Sequence, residues 1–589
     1  MRLIEIRLLE GPNVYRLEPV VKVEVAIGRR RSWYGRREPE AHALVRLGAT
    51  VPAAAWPEPV AAMVAWTRRL RADHDEGGGP VAVHRSSDPG HWIVTWPWRG
   101  EGRAQAITEA AFALAAARGA PPARAASRAK GASPAPSRDS RLGRWHDRIA
   151  AADTAPPPWI RDAERRLPVI SISGTNGKTT TTRLVSHILR AAGHHVGTTT
   201  SDGILIDEKL VEAGDWTGPV GAQDILRRSD IDLAVLETAR GGIVLRGVGY
   251  ESNEASILTN VTSDHLDLQG IHTLPELAEV KATICRMTRP DGRVILNADD
   301  RHVAAIGRRV RARVAFFSMA GDASPRVRRH LKRGGRAYLV RDGRLGEAEG
   351  PRWRPIARLS EVPITLGGIA RHNVANALAA AGGARAMGAS IAEVRQGLTS
   401  FQPSPGASPG RLNIFERDGQ VVIVDFAHNE AGLEALLDVG RAIGPTAQLS
   451  AVVGTAGDRP DDTLRGMGRI AARRVDRLVI KETLQYLRGR TRQGVVGEIR
   501  AGARAGGWRR EIPVYESETA ALAGELDLAR DAPGVLVLLC HEDRDGVFRL
   551  LEERGFSPLS TLDKVIAGTK NPSMPAPGRR RRPRGQRAR

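Results

Sequence analysis

The stretch VISISGTNGKTTTTRL, residues 169–184, decides the reading of this chain. An apolar run ends in a glycine-bracketed turn, and a lysine followed by hydroxyl side chains opens what reads as a helix. Backbone N–H groups of residues 174–178 are expected to point into the turn, at a helix N-terminus that already favours anions. Gly174, Thr175, Asn176 and Gly177 would wrap a phosphate, and Lys178 would reach the β- and γ-phosphates. The hydroxyl of Thr179 or Thr180 would ligate Mg²⁺. The general eight-residue phosphate loop requires glycine where this chain has Ile172, so the loop here is the shorter GTNGKT, 174–179. The stretch reads as an ATP site.

Outward from it, short apolar runs alternate with helical stretches. LPVISIS, DLAVLETA, EASILTNV and RVILNA read as strands, TTTTRLVSHILRAAG and TLPELAEVKATICRM as helices. The pattern predicts a mostly parallel sheet covered by helices, with ligands at the carboxyl ends of its strands. A second α/β series starts near Gly410, with strands QVVIVDFAHN, LSAVVGTAG, RLVIKET and GVLVLLC. Ahead of both, RLIEIRLL, VVKVEVAIG and HWIVTWPW with the helix AITEAAFALAAAR make a small α+β unit. The predicted organisation is therefore an α+β N-terminal domain (1–118), a linker (119–150), a central ATP-binding α/β domain (160–408), a C-terminal α/β domain (409–566) and a tail (567–589). The linker opens with GAPPARAASRAKGASPAPSRDSRL and is expected to be disordered for want of apolar periodicity.

A chain of 589 residues can bury several cores. Its 41% apolar content is broken by charge throughout, and no run of about 18 uncharged apolar residues stands in it. No membrane partner is expected, and MRLIEIRLLEGPN lacks the core of a signal peptide. Cys285 and Cys540 are the two cysteines, too few for a disulfide framework, which fits a reducing cytoplasm. The net charge of +22 is partly a basic tail, 579–589, expected to be disordered. That tail either binds a polyanion or serves as a solubilising end. No zinc or RNA-binding pattern accompanies it, so nucleic acid is not an expected partner.

Two further segments follow the phosphate loop. In LETARGG, Glu237 ends an apolar strand, where a carboxylate can hold Mg²⁺ opposite Thr179. In TNVTSDHLDLQG, His265 follows the strand SILTNV and is a candidate ligand for a second divalent ion. Lys281, sixteen residues on, is by spacing an ordinary helix lysine.

Taken together these motifs resemble the Mur ligase family, and within it the Mur-like half of the cyanophycin synthetase branch. GTTTSDGILIDEKLVEAGDWTGPVGAQDILR (197–227), LETARGGIVLRG (236–247) and KETLQYLRGR (481–490) carry the resemblance, with LLEGPNVYRL (8–17) as a weaker match. It implies an ATP-dependent amide ligase of the Mg-ATP, acyl-phosphate type. It also implies an active-site and often carbamylated Lys281, Asn373 of GIARHNVANALAA on adenine, and Arg411 of PGRLNIFE on the γ-phosphate. Asp425 of VDFAHNEAGLEAL would meet ribose, and His428 would lie near the reaction centre. For Asn373, helix capping is the competing role. Thr199, Thr200, Asp202 and Thr217 are the candidates for acceptor contact, with Asp215 and Gly218 nearby. Arg488 and Arg490 would pair with a substrate carboxylate, or else only brace a turn. The implied partners are an amino acid, a peptide-like or polycarboxylate acceptor, and a second copy of the chain. The branch carries an ATP-grasp domain where this chain has the linker, so a separate ATP-grasp ligase would have to supply that activity. DFAHNE, in place of a proline after the asparagine, leaves amine specificity open. A folate or peptidoglycan-type acceptor, or a catalytically idle binding module, are the competing readings.

Overall fold

A computed structural model describes residues 1–28, 47–121, 141–263, 266–457, 459–487, 489–529 and 532–559. His265, Arg488 and the basic tail therefore lie outside the described residues, as does 122–140 of the linker.

Two compact units divide the described residues: those within 1–358, 372–401 and 458–463 in the first, those within 359–371, 402–457 and 464–559 in the second. At the centre of the first lies an eleven-stranded sheet. Its order is Arg352–Arg358, Arg344–Glu349, Arg336–Arg341, Arg313–Ser318, Thr288–Asn297, Asn253–Leu258, Val169–Ser173, Leu233–Glu237, Val196–Thr199, Gly203–Ile206, Lys209–Ala213. From Arg336–Arg341 through Val196–Thr199 every neighbour is parallel, and an antiparallel hairpin closes each edge. The strand Val169–Ser173 is buried at all five positions, which is why VISIS reads as an unbroken apolar-and-small run rather than an alternation. The helix that follows, Lys178–Ala191, sends the chain to Val196–Thr199, whereas Asn253–Leu258 joins Val169–Ser173 on its other side. The phosphate loop thus emerges at the carboxyl end of a central strand beside a change of winding direction.

The first unit also holds the N-terminal sheet, antiparallel in the order Arg2–Leu9, Val20–Ala26, His91–Pro97, Ala82–Arg85. Val21, Val23 and Val25 face helices Glu58–Asp73 and Glu101–Arg118 in one core, while Lys22 and Glu24 point to the opposite face and pair with each other. That charged face meets the central sheet's loops. Glu10 N–H donates to Arg246 O at 2.7 Å, and His272 bridges Asp88 (3.0 Å) and Asp267 (2.7 Å). Gly11 is required at this joint, because a Cβ there would fall 1.8 Å from Val248 O.

The disordered-linker expectation for 119–150 is corrected at its end. Arg141–Ala150 is a helix whose Leu142, Trp145 and Ile149 pack into the N-terminal core. Those three residues follow helical spacing, which the surrounding arginines and the preceding Ala/Pro/Ser run obscure.

In the second unit a seven-stranded sheet runs Val514–Tyr515, Arg477–Lys481, Gln448–Val453, Gly534–Leu539, Gln420–Asp425, Asn413–Arg417, Ser557–Pro558. Its first five strands are mutually parallel. Among the described residues no helix is long and apolar enough to cross a membrane.

Candidate active site

The loop 174–179 is held by its own strand's neighbours. Thr175 N–H donates to Asn260 O (2.8 Å) and Asn176 N–H to Asn260 Oδ1 (2.9 Å), while Asn260 Nδ2 and Thr259 Oγ1 both donate back to Asn176 O. Asn297 Nδ2 fixes Thr259 in turn through its carbonyl at 2.8 Å. Two glycines are obligatory. Gly174 has φ +153° and a Cβ there would sit 1.8 Å from Thr259 Oγ1; Gly177 has φ +84° with Asn376 Oδ1 at 2.2 Å from the same hypothetical atom. Gly177 caps the helix Lys178–Ala191, so its first N–H groups open onto the loop as a phosphate site requires.

Lys178 Nζ donates to Thr175 O at 3.0 Å, folded back over the loop. Of the two candidate hydroxyls, Thr179's is the one that meets Glu237: Thr179 Oγ1 lies 3.2 Å from Glu237 Oε1 and 3.2 Å from Ser201 Oγ. Thr179 and Glu237 are buried. A hydroxyl and a carboxylate at that separation form a hard-oxygen donor set, which fits Mg²⁺ and not a soft metal.

Lys281 ends the helix Leu274–Lys281 and is buried, with Nζ donating to Gly174 O at 2.7 Å. Its ammonium thus braces the loop's first carbonyl. Asn373 sits inside the helix Arg371–Ala386, not before it, which removes the capping alternative. It accepts from Asn376 Nδ2 at 3.0 Å, and Asn376 Oδ1 accepts from Thr181 Oγ1 at 3.4 Å. Asn376 therefore joins this helix to the loop.

The acceptor candidates are close to the loop in sequence order but differ in their engagement. Thr200 Oγ1 accepts from the N–H groups of Asp202 and Gly203, and Asp202 is ion-paired to Arg183 at 3.2 Å. Thr217 Oγ1 donates to Asp215 at 2.6 Å ahead of the helix Pro219–Arg227. Each shapes its turn. Thr199 Oγ1 is buried without a hydrogen-bond partner among the described residues, the exception in the set.

In the second unit, Asp425 ends a parallel strand and accepts two backbone bonds, from Leu412 and Ala427, both 2.7 Å. Burial pushes its carboxyl above the usual range, against the pull of Arg411. The Arg411 guanidinium lies 4.6 Å over the Phe426 ring, whose edge contacts His428 and His541. His428 Nδ1 faces Phe426 O at 3.2 Å, and His541 Nε2 faces Ala427 O at 2.9 Å. Arg490 N–H closes a turn onto Leu487 O. Beneath this loop, Glu542 accepts from Leu484 and Gln485, and Glu518, paired to the fully buried Lys481 at 2.9 Å, accepts from the backbone of His541 and Glu542.

The sequence motifs do not single out Thr259, Asn260, Asn376, Phe426 or His541, whereas Ser201 falls within the candidate acceptor segment 198–203. A legible signal existed for the first two, since a Thr-Asn pair ends the apolar run SILTN beside the phosphate loop.

Residues 172–384 match the Mur ligase middle domain and residues 410–540 the Mur ligase, glutamate ligase domain. The two matches take in more than half of the chain, and the protein belongs to the Mur ligase family. Within it, 395 residues are 40% identical to the cyanophycin synthetase of Trichormus variabilis, covering 66% of this chain and 43% of that protein. The chain thus spans less than half the length of this relative. The UDP-N-acetylmuramoyl-L-alanyl-D-glutamate–2,6-diaminopimelate ligase of Chlorobaculum tepidum is 28% identical over 358 residues, 58% of this chain and 66% of that one. Among solved structures, E. coli FolC in complex with DHPP and ADP superposes with a TM-score of 0.49 at 20% identity, over 66% of this chain and 90% of that chain.

Proposed function

We propose that the protein is an ATP-dependent ligase that activates an acceptor carboxylate as an acyl phosphate and joins it to the amine of an amino acid, in the manner of a cyanophycin synthetase. The observation that carries this reading is the braced loop 174–179 with Thr179 and Glu237 3.2 Å apart beside its helix N-terminus. The backbone N–H groups at that terminus would hold the β-phosphate, and Lys178 would leave Thr175 O to neutralise charge on the γ-phosphoryl group. Thr179 and Glu237 would hold Mg²⁺, which supplies charge neutralisation across the phosphates when bound. By family resemblance, His265 would serve a second divalent ion, and Lys281 would act at the same site, carbamylated or as the ammonium that holds Gly174. Asn373 would meet adenine, Asp425 ribose, Arg411 the γ-phosphate, and His428 the reacting groups.

The acceptor carboxylate would attack the γ-phosphorus, its bond to phosphorus forming as the bond to the β–γ bridging oxygen breaks and ADP leaves. The amine nitrogen would then attack the acyl carbon, expelling phosphate and losing a proton. Thr199, Thr200, Asp202 and Thr217 stand as acceptor contacts, Arg488 and Arg490 as carboxylate contacts. We assign residues 1–118, joined by the helix Arg141–Ala150, then 160–408 and 409–566 as the three domains, and a polycarboxylate, peptide-like chain as the acceptor. Addition to a polymer's backbone would fall to a separate ATP-grasp ligase. Cys285 and Cys540 are buried free thiols, in keeping with a cytoplasmic reaction.

Lys178→Ala tests the assignment. ADP formation in the presence of acceptor and amine should vanish while the thermal unfolding midpoint stays. Full activity in that variant would refute the site.

A further inference from the structure

Residues 301–358 contain sixteen Arg and Lys against four Asp and Glu, a surplus of twelve out of the chain's net +22. Topology gathers much of that charge at one end of the sheet. Arg293 and Arg313 are direct neighbours across two parallel strands, and Arg336 opens the next strand at the same, amino-terminal end. Arg308, Arg309 and Arg311 lie in the loop leading into Arg313. Arg329, Lys332 and Arg333 close the helix Pro325–Lys332 just before Arg336, and Arg352 stands opposite Glu349, which itself pairs across to Arg336. Arg308, Arg311, Arg313, Arg329, Lys332, Arg333 and Arg352 are exposed, and none has an ion-pair partner among the described residues. Burial and the neighbouring guanidinium groups of Arg336 and Arg313 hold Arg293 below the usual arginine range.

Against them stand Glu279, held by Arg286 and Arg309, Glu349, held by Arg336, and Asp291. Arg289, at the start of the same strand as Arg293, and Arg165, ahead of Val169–Ser173, are placed differently. At the same end, Arg165 and Arg289 are both paired with Asp162 and Glu254, at 2.8 to 3.3 Å. The fold supplies counter-charges to Arg165 and Arg289, and among the described residues Arg308, Arg311, Arg313, Arg329, Arg333 and Arg352 have none. A cluster of like charges without partners costs stability and raises the local concentration of anions.

We infer that this basic sheet end is a second binding surface, an exosite for the remote part of an acidic polypeptide acceptor; this rests on the ligase reading above. Guanidinium groups predominate, and their planar fork matches carboxylates. Among the described residues this end offers bases no open aromatic ring: Phe316, Phe317 and Tyr338 are buried, and Trp353 lies under Arg341 at 4.6 Å. The phosphate loop is at the opposite, carboxyl-terminal end of the same sheet. An extended chain advances about 3.3 Å per residue, so roughly ten acceptor residues run from one end to the other. Acceptors longer than that gain the exosite, and shorter ones do not.

The test uses the full-length protein with fluorescein-labelled poly-L-aspartate of about thirty residues and, in parallel, duplex DNA of similar charge, followed by anisotropy at low and moderate salt. Poly-aspartate should bind, weaken as salt rises, and bind at least about tenfold more weakly to both R311E/R313E/R329E/R333E and the milder four-fold Gln variant. ADP release with a short acceptor should stay unchanged in both, while KM for the long acceptor rises. Absent binding, or binding unaffected by either variant, overturns the inference. Tighter binding of DNA than of poly-aspartate overturns the choice of ligand. Binding needs no turnover, so failure of the ligase reading would show as retained, Arg-dependent binding with no ADP formed.

Discussion

Gly177→Ala examines the geometry on which the phosphate site depends. An alanine at φ +84° costs about 1 kcal/mol in backbone strain. Its Cβ would fall 2.2 Å from Asn376 Oδ1, so the amide must swing away. That movement breaks the bonds to Thr181 Oγ1 and Asn373 Oδ1, at about 1 kcal/mol each. The total is about 3 kcal/mol, charged against the loop shape that binds phosphate, and therefore a loss of roughly 100-fold in ATP affinity. Asn376→Ala alone should cost about 2 kcal/mol from the same two bonds. The informative variant is the double one. With the amide gone the clash is gone, so Gly177→Ala/Asn376→Ala should cost about 3 kcal/mol and not the sum of about 5. Calorimetric titration of the four proteins with a non-hydrolysable ATP analogue measures each term. Additive losses within about 0.5 kcal/mol would refute the contact between Asn376 and the loop as the source of the requirement for glycine.

Three other perturbations follow from named contacts. Lys281→Met removes a charged donor from Gly174 O and should weaken ATP binding by about tenfold or more, since bonds to charged groups contribute about 1.5–3 kcal/mol; unchanged affinity would show that the lysine does not brace the loop. Lys481→Met leaves Glu518 buried without its cation and should destabilise the second unit by about 3–5 kcal/mol, whereas replacing both partners by apolar residues should recover much of that loss in urea unfolding. His272, raised to about 9 chiefly by Asp88 and then Asp267, ties the N-terminal sheet to the loop after His265. Because its folded pKa lies above the ordinary 6.5, the stabilisation is complete below about pH 6.5 and is lost as pH rises through about 9. Its size is at most about 3 kcal/mol, less after solvent screening. His272→Ala should abolish the pH dependence of proteolytic resistance at residues 1–118; a dependence that persists would contradict the pairing.

The parallel strands were legible because burial on both faces writes them as short unbroken apolar runs, as in VISIS and GVLVLLC. The phosphate loop was legible because few residues other than glycine tolerate the backbone at 174 and 177. Side-chain partnerships across the sheet were not. Asn376 looks like any polar residue in an alanine-rich helix, and only packing shows its amide against Gly177. Glu58–Asp73 was missed as a helix, and Ala82–Arg85 as a strand, for lack of a strong period in their sequence. The helix Arg141–Ala150 was missed because three spaced apolar residues stand among charges. The basic sheet end was hidden differently: its arginines are scattered over some sixty positions and converge only once the strands are aligned.

The central claim is chemical, and one measurement meets it directly. Purified protein is incubated with Mg-ATP, each of a panel of amino acids, and short aspartate-containing acceptors; ADP is quantified and the acceptors are weighed by mass spectrometry. The account predicts ADP release that requires both acceptor and amine, with an acceptor heavier by one amino acid residue and one amide formed per ADP. ADP release indifferent to acceptor and amine, or tight ATP binding with no mass gain for any pair, would contradict it.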